Sequence, residues 1–256
     1  MAQETLGDLL TVRLKTAWWW TLGMTWTLVN LRGLSQIMYD MIDCPEDLHR
    51  LMAFLRDGHM AKLDFLEENG LLSLNNDGTY VGSGGFGWTD ELPQPDFDGQ
   101  VRTCDMWGFG ESQETVGVSP DMFAEYIYPY QRPILERFGL NCYGCCEPLD
   151  KRWHVVSQLP RLRRISVSPW ADHRAMAEML QDRYLYSMKP RPADLAMGTF
   201  EEERVRAELR QALRVTRDCR VEVIMKDNHT IRNDPRRVVR WVEIARQEAE
   251  ALQARA

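Results

Sequence analysis

The sequence predicts an α/β protein, a parallel sheet with helical cover, and favours a (β/α)8 barrel of the TIM type. Three observations carry this. The second half of the 256-residue chain alternates short β-rich runs with amphipathic helical stretches, the pattern of a parallel sheet with crossover helices. Polar, glycine-rich or reactive residues follow strand after strand, in "NNDGTYVGSGG", "FGESQE", "GCCEP", "SPWAD", "KPRP" and "KDNHT". A barrel gathers all strand C-ends at one mouth, whereas an open doubly wound sheet works mainly at its switch point. No repeat, low-complexity tract or Gly/Ser linker divides the chain, so residues 1–256 read as one domain.

The elements follow in order. The acidic "MAQETLGDLL" is not a signal peptide. The apolar stretch 17–31 is too short to span a bilayer and is broken by threonines and tryptophans, so it reads as a buried strand with its loop. Pro45 to Glu68 reads as a long helix with Leu48, Leu51, Met52, Leu55, Leu63 and Leu66 on its apolar side. Leu71 to Leu74 reads as a strand. Ser119-Pro120-Asp121 caps a helix carrying Phe123, Tyr126 and Ile127, which Pro129 and Pro133 kink or divide. Strands are expected at Leu140–Tyr143, Arg164–Ser168, Tyr184–Met188 and Val221–Lys226. Between them, Asp172 caps one helix, and Thr199 with Glu202 makes a capping-box pattern for a second. Asp234-Pro235 opens the last helix, expected to bury Val238, Trp241, Val242 and Ala245. Each crossover should be right-handed.

The net charge of −7 and pI near 5.4 argue against nucleic acid and against a polybasic membrane anchor. With no export signal, a cytoplasmic setting with reduced thiols is expected.

The chemistry concentrates in "GLNCYGCCEPLDKRWH", where Cys142, Cys145 and Cys146 fall within five positions. Strand alternation puts Asn141, Tyr143 and Cys145 on one face and sends Cys142 towards the helices. Cys142-x-x-Cys145 has the spacing of half a zinc ribbon, but with no second CxxC a structural ribbon is not expected. Cys145, Cys146 and Glu147 at the strand's end could instead meet His229 of "MKDNHT" in a mixed S/N/O site with an open position, the catalytic type of zinc centre. Inert buried thiols and a cysteine nucleophile are the competing readings. Glu111 and Glu114 flank Gln113, which suits acid–base work and substrate orientation. Asn75, Asp77, Gln113, Tyr143 and Lys189 are the candidate substrate-binding residues, each at a strand end. The glycines of Gly82–Gly87 precede no helix, so a dinucleotide fingerprint is rejected in favour of a long loop or lid. "EEERVRAELRQALRVTRDCR" reads as a solvated helix face.

The order and spacing of "NCYGCCEP", "LRRISVSPWAD", "YLYSMKPRPADLA" and "VEVIMKDNHTIRNDPRRVVRWVEIAR" resemble the uroporphyrinogen decarboxylase superfamily. "IDCPEDLHRLMAFLRDGHM" and "VGVSPDMFAEYIYPYQRPILERFG" resemble its helices. The resemblance implies a (β/α)8 barrel. It also implies one of two activities: cofactor-free decarboxylation, or zinc-dependent methyl transfer with thiols and corrinoid proteins. The sequence departs from the methyltransferase pattern, with Asn141 and Tyr143 where the metal-binding His and Cys would stand. Zinc would then be rebuilt on Cys145, Cys146, Glu147 and His229. Matched to the family, the chain starts after the first strand or two. The barrel is therefore expected to lack N-terminal strands, its edges covered by a homodimer or by the segment before Ile37. The leading expectation is a zinc-dependent methyltransferase acting on a small substrate or a corrinoid partner, with Glu111 or Glu114 positioning the substrate. The alternatives are a metal-free decarboxylase using Lys189, Arg191 and Lys226, and a non-catalytic barrel that binds a ligand or partner.

Overall fold

The computed structural model describes residues 1–15 and 19–254. Helices α1 (Ala2–Leu6), α2 (Thr25–Arg32), α3 (Leu34–Asp43) and α4 (Pro45–Glu68) come first. A hairpin of β1 (Tyr80–Gly82) and β2 (Gly85–Phe86) follows, then β3 (Trp107–Gly110), α5 (Pro120–Tyr126), α6 (Tyr128–Leu135) and β4 (Leu140–Tyr143). The remainder is α7 (Trp153–Val156), β5 (Leu162–Val167), α8 (His173–Leu180), β6 (Leu185–Met188), α9 (Ala193–Ala196), α10 (Glu202–Val215), β7 (Arg220–Val223) and α11 (Arg236–Gln253).

Strands β3 to β7 form one five-stranded parallel sheet in sequential order. Helices connect consecutive strands, as a parallel pair requires. The order never reverses, so the sheet has no switch point. The strands do not close into a ring, and β3 and β7 are the two edges.

The two faces differ sharply. One carries Tyr143, Ile165, Val167, Tyr186 and Met188, buried in the main core with α2 to α6 and α8. The other carries Phe109, Cys142, Arg164, Ser166, Ser187 and Glu222, polar for the most part. The hairpin lies over this second face. A Cβ at Gly82, whose φ is +139°, would fall 2.2 Å from the Phe109 ring. Ser83 Oγ lies 2.8 Å from Ser166 Oγ, and the Phe86 carbonyl accepts from Arg164 at 2.7 Å. Arg164 is itself buried against the Trp107 ring and paired with Glu222 at 2.9 Å. The glycines expected to make a lid therefore let a backbone approach the sheet closely.

The β3 edge is partly covered from within the chain. The Asn75 side chain donates to Trp107 O at 3.0 Å and accepts from Trp107 N at 2.8 Å. Further along, Leu22 N donates to Phe109 O at 2.9 Å. The expected strand at Leu71–Leu74 is not one, because this side chain takes the place of a neighbouring strand's peptide. Of the expected strand at 17–31, Ala17 and Trp18 lie outside the described residues, and Thr25 onwards is helical. Thr199 does not cap α10, which begins three residues later behind Glu201. In α11, Trp241 is buried as expected, but Val238 and Val242 are exposed while Ile244 and Glu248 are inside. Glu248 turns inward because Arg206 and Arg210 both pair with it at 2.7 Å. No described helix is long and apolar enough to cross a membrane.

Candidate functional site

The C-terminal rim of the sheet collects ionisable groups from four strands: Glu111 after β3, Cys145, Cys146 and Glu147 after β4, Lys189 after β6 and Lys226 beyond β7. Gly144 shapes the turn after β4. Its φ of +96° suits glycine, and a Cβ there would meet Leu149 at 2.6 Å. The turn breaks strand alternation. Cys145 therefore packs with Phe109 and Cys142, while Tyr143 faces the main core. This corrects the expected sharing of a face by Tyr143 and Cys145. Cys142 lies on the hairpin side rather than against the helices, and burial pushes its thiol up to about 11.

Cys145 and Cys146 have their sulfurs 3.9 Å apart. Lys226 Nζ lies 3.3 Å from each of them and 2.6 Å from Asp227 Oδ2. The pair divides one proton unequally. A hydrogen bond from Cys145, with the Lys226 ammonium adding to it against the cost of burial, brings Cys146 down to about 7. Donating that bond, together with burial, pushes Cys145 well above an ordinary thiol. Burial works against the Lys226 charge, yet the two sulfurs and Asp227 hold its pKa above the usual lysine value. Cys146, only half-buried, is thus the thiolate of the pair near neutral pH.

Glu147 has another task. Its Oε1 accepts from Ser112 N at 2.8 Å and its Oε2 from Cys145 N at 2.9 Å, tying the β3 and β4 loops together. Burial raises its pKa, while those amide bonds and Arg152 oppose the rise. Buried Arg152 secures the same loop, donating to Ser112 Oγ and Val118 O at 2.9 Å each and to Thr115 O. Glu111 accepts from Gln113 N at 2.9 Å through Oε2. Its buried Oε1 has no hydrogen-bond partner among the described residues. Burial, then the neighbouring Glu147 and Glu114, push Glu111 up to about 9, so it holds its proton at neutral pH.

The other sequence candidates are dispersed. Asn75 is engaged by Trp107, and Asp77 is an exposed turn residue paired with Arg13 at 3.1 Å. Tyr143 donates to Gln131 Oε1 at 2.6 Å inside the core. Lys189 is buried and donates to Ser187 Oγ at 2.6 Å, and burial lowers it to about 8. Glu114 accepts from Thr25 Oγ1 at 2.7 Å and from Gln113 Nε2 at 3.1 Å.

The zinc set expected at this rim does not fit. Both Glu147 oxygens are taken by amides, and Lys226 places an ammonium against both sulfurs. His229 is exposed, with no hydrogen bond, ion pair or ring contact to the described residues. No group of three or more His, Cys, Asp or Glu among the described residues is arranged to hold a metal ion.

Two cavities matter. The first, of about 500 Å³, is lined by Trp20, Thr21, Met24, Trp26, Thr27 and Gln113. Trp20 packs on the Phe109–Cys142–Cys145 cluster, as does Cys146, so one wall of this cavity rests on that cluster. The second is larger, about 600 Å³, and lies between α8 and α10 against His173, Met188 and Trp241. None of the thiols lines either cavity, and His173, Lys189 and Arg191 line the second; the candidate site is taken at the first because its Trp20 packs on the cluster that holds Cys142 and Cys145. Sequence reasoning missed Trp20 and Arg152, and read Lys226 only as a substrate-binding cation. Neither a family model, nor a curated protein, nor a solved structure matches the chain.

Proposed function

We propose that this protein is an enzyme that transfers an alkyl group, methyl in the reading the family resemblance supplies, and that the Cys146 thiolate takes or gives it. The sheet is read as a five-strand arc of a (β/α)8 barrel, supported by its sequential parallel order and by reactive groups on its C-terminal rim. One observation carries the reading: Lys226 Nζ stands 3.3 Å from both sulfurs of an adjacent cysteine pair. A thiolate beside a fixed cation is available near neutral pH, and thiolates are strong nucleophiles towards carbon. Lys226 takes the part that a zinc ion plays in the family's methyltransferases, and Asp227 fixes its position. Glu111 supplies a proton-bearing carboxyl at the same rim. The decarboxylase reading needs unengaged cations at the rim. Lys189 is turned to Ser187 and Lys226 to the thiols and Asp227, which leaves Arg191, on the wall of the larger cavity, as the one cation of that set with no side-chain hydrogen bond or ion pair to the described residues.

Iodoacetamide labelling with peptide mapping across pH tests this. Cys146 should label first, with a midpoint at about pH 7, and Cys142 and Cys145 should lag. Equal labelling of the three, or a Cys146 midpoint near that of a free thiol, overturns the reading.

A further inference from the structure

Trp20 and Trp26 meet edge to face, their ring centroids 6.1 Å apart at 69°. They form an L-shaped corner in the cavity beside the thiols. Met24, Thr21, Thr27 and Gln113 complete the lining, and no lysine or arginine is among these residues. Negative charge lies just behind it. The Glu114 carboxylate accepts from Gln113 and from Thr25, whose neighbours Met24 and Trp26 line the cavity. Trp26 is 55% exposed, so its ring is open to a ligand.

Two aromatic rings inclined at 69°, backed by a carboxylate and free of basic groups, select one chemical class. A cation within about 6 Å of an indole centroid is attracted by the ring quadrupole, most strongly when it is large and weakly hydrated. A neutral apolar ligand would gain from the rings but not from Glu114. An anion would be repelled by both.

The geometry points to the Trp20–Trp26 corner as a binding site for a methylated onium, a quaternary ammonium or sulfonium ion, that serves as methyl donor to Cys146. The donor role rests on the proposed alkyl transfer; the binding role does not. The step balances. A Cys146 sulfur lone pair forms a bond to the methyl carbon, and the carbon–heteroatom bond breaks with its electron pair staying on nitrogen or sulfur. Thiolate and cation thereby become a thioether and a neutral amine or sulfide, with no proton or oxidant required. Trp20 lines the corner and packs on the Phe109–Cys142–Cys145 cluster, against which Cys146 also packs.

Choline and its uncharged isostere 3,3-dimethylbutan-1-ol test the binding by calorimetric titration of the full chain. Choline should bind at least about tenfold more tightly than the alcohol. Trp26→Leu should weaken choline several-fold more than it weakens the alcohol, and Glu114→Gln should weaken choline several-fold and leave the alcohol nearly unchanged. Equal affinity for the two probes, no choline binding, or choline binding indifferent to Trp26→Leu overturns the site. Trimethylsulfonium tests the transfer, with peptide mapping for S-methylation at Cys146. Choline binding without methylation overturns the donor role and counts against alkyl transfer while leaving the onium site standing. A labile Cys146 thiolate without choline binding overturns the onium site and leaves the thiolate reading intact.

Discussion

Lys226 holds its ammonium 3.3 Å from the Cys146 sulfur and 2.6 Å from the Asp227 carboxylate. It is the one described side chain bonded to both thiols, so its removal tests what sets their reactivity. In Lys226→Met, the rate of Cys146 alkylation at neutral pH should fall about tenfold and its pH midpoint should move up, since an opposite charge in contact lowers a thiol pKa by an amount of that order. Stopped-flow alkylation with circular dichroism as a folding control measures it.

Glu111 offers a pH test on stability. Its folded pKa of about 9 stands above the ordinary glutamate value, so the folded state keeps a proton that the unfolded chain has released. Stability from this group is complete below the unfolded pKa and declines as pH rises towards the folded one. Glu111→Gln removes the titration. Between about pH 5 and 8 the variant should lose stability less steeply than the wild type, by at most about 1.4 kcal/mol per pH unit. Urea midpoints at a series of pH values read this. The window stops near 8 because Lys189, lowered to about 8, then begins to act in the opposite sense.

Asn75→Ala should destabilise the fold by about 2–4 kcal/mol, since it strands a buried N–H and a buried carbonyl on Trp107. Denaturant unfolding checks the value. Cys146 labelling at low denaturant should be unaffected, because Asn75 braces the far end of β3.

Gly82→Ala should cost about 1–3 kcal/mol, because its Cβ would enter the Phe109 ring from a backbone with φ of +139°. Hydrogen exchange should show the loss first at β1 and β2.

His229→Ala should leave the Cys146 pH profile and the folded stability unchanged, since the imidazole is exposed and makes no polar or ring contact with the described residues. A moved profile would restore His229 to the site.

The second half of the fold was legible because its signals are local. Asp172 accepts from Arg174 N and Ala175 N, as an N-cap should, and β4 occupies Leu140–Tyr143 as its β-rich run suggests. The site was legible only to the level of the loop. Which way Cys145 and Tyr143 point depends on Gly144, a single left-handed residue that resets the alternation. The partner of the thiols was misread by three positions. His229 and Lys226 share one loop, and ligand chemistry favoured the histidine, whereas the chain turns at Asp227, with φ of +60°, after bringing only Lys226 and Asp227 to the sulfurs. Trp20 gave no periodic signal, because its role comes from the pairing of Leu22 with Phe109.

The hairpin over Arg164, Ser166 and Phe109 bears on how so few strands can hold a rim of reactive groups in place. In a closed ring, the opposite wall keeps water out of the bore. Here the sheet is open, and the chain covers its polar face with its own Gly82, Ser83 and Phe86. Arg164 and Ser166 are thereby sealed off by the chain itself, whereas Trp26 is left open to whatever approaches.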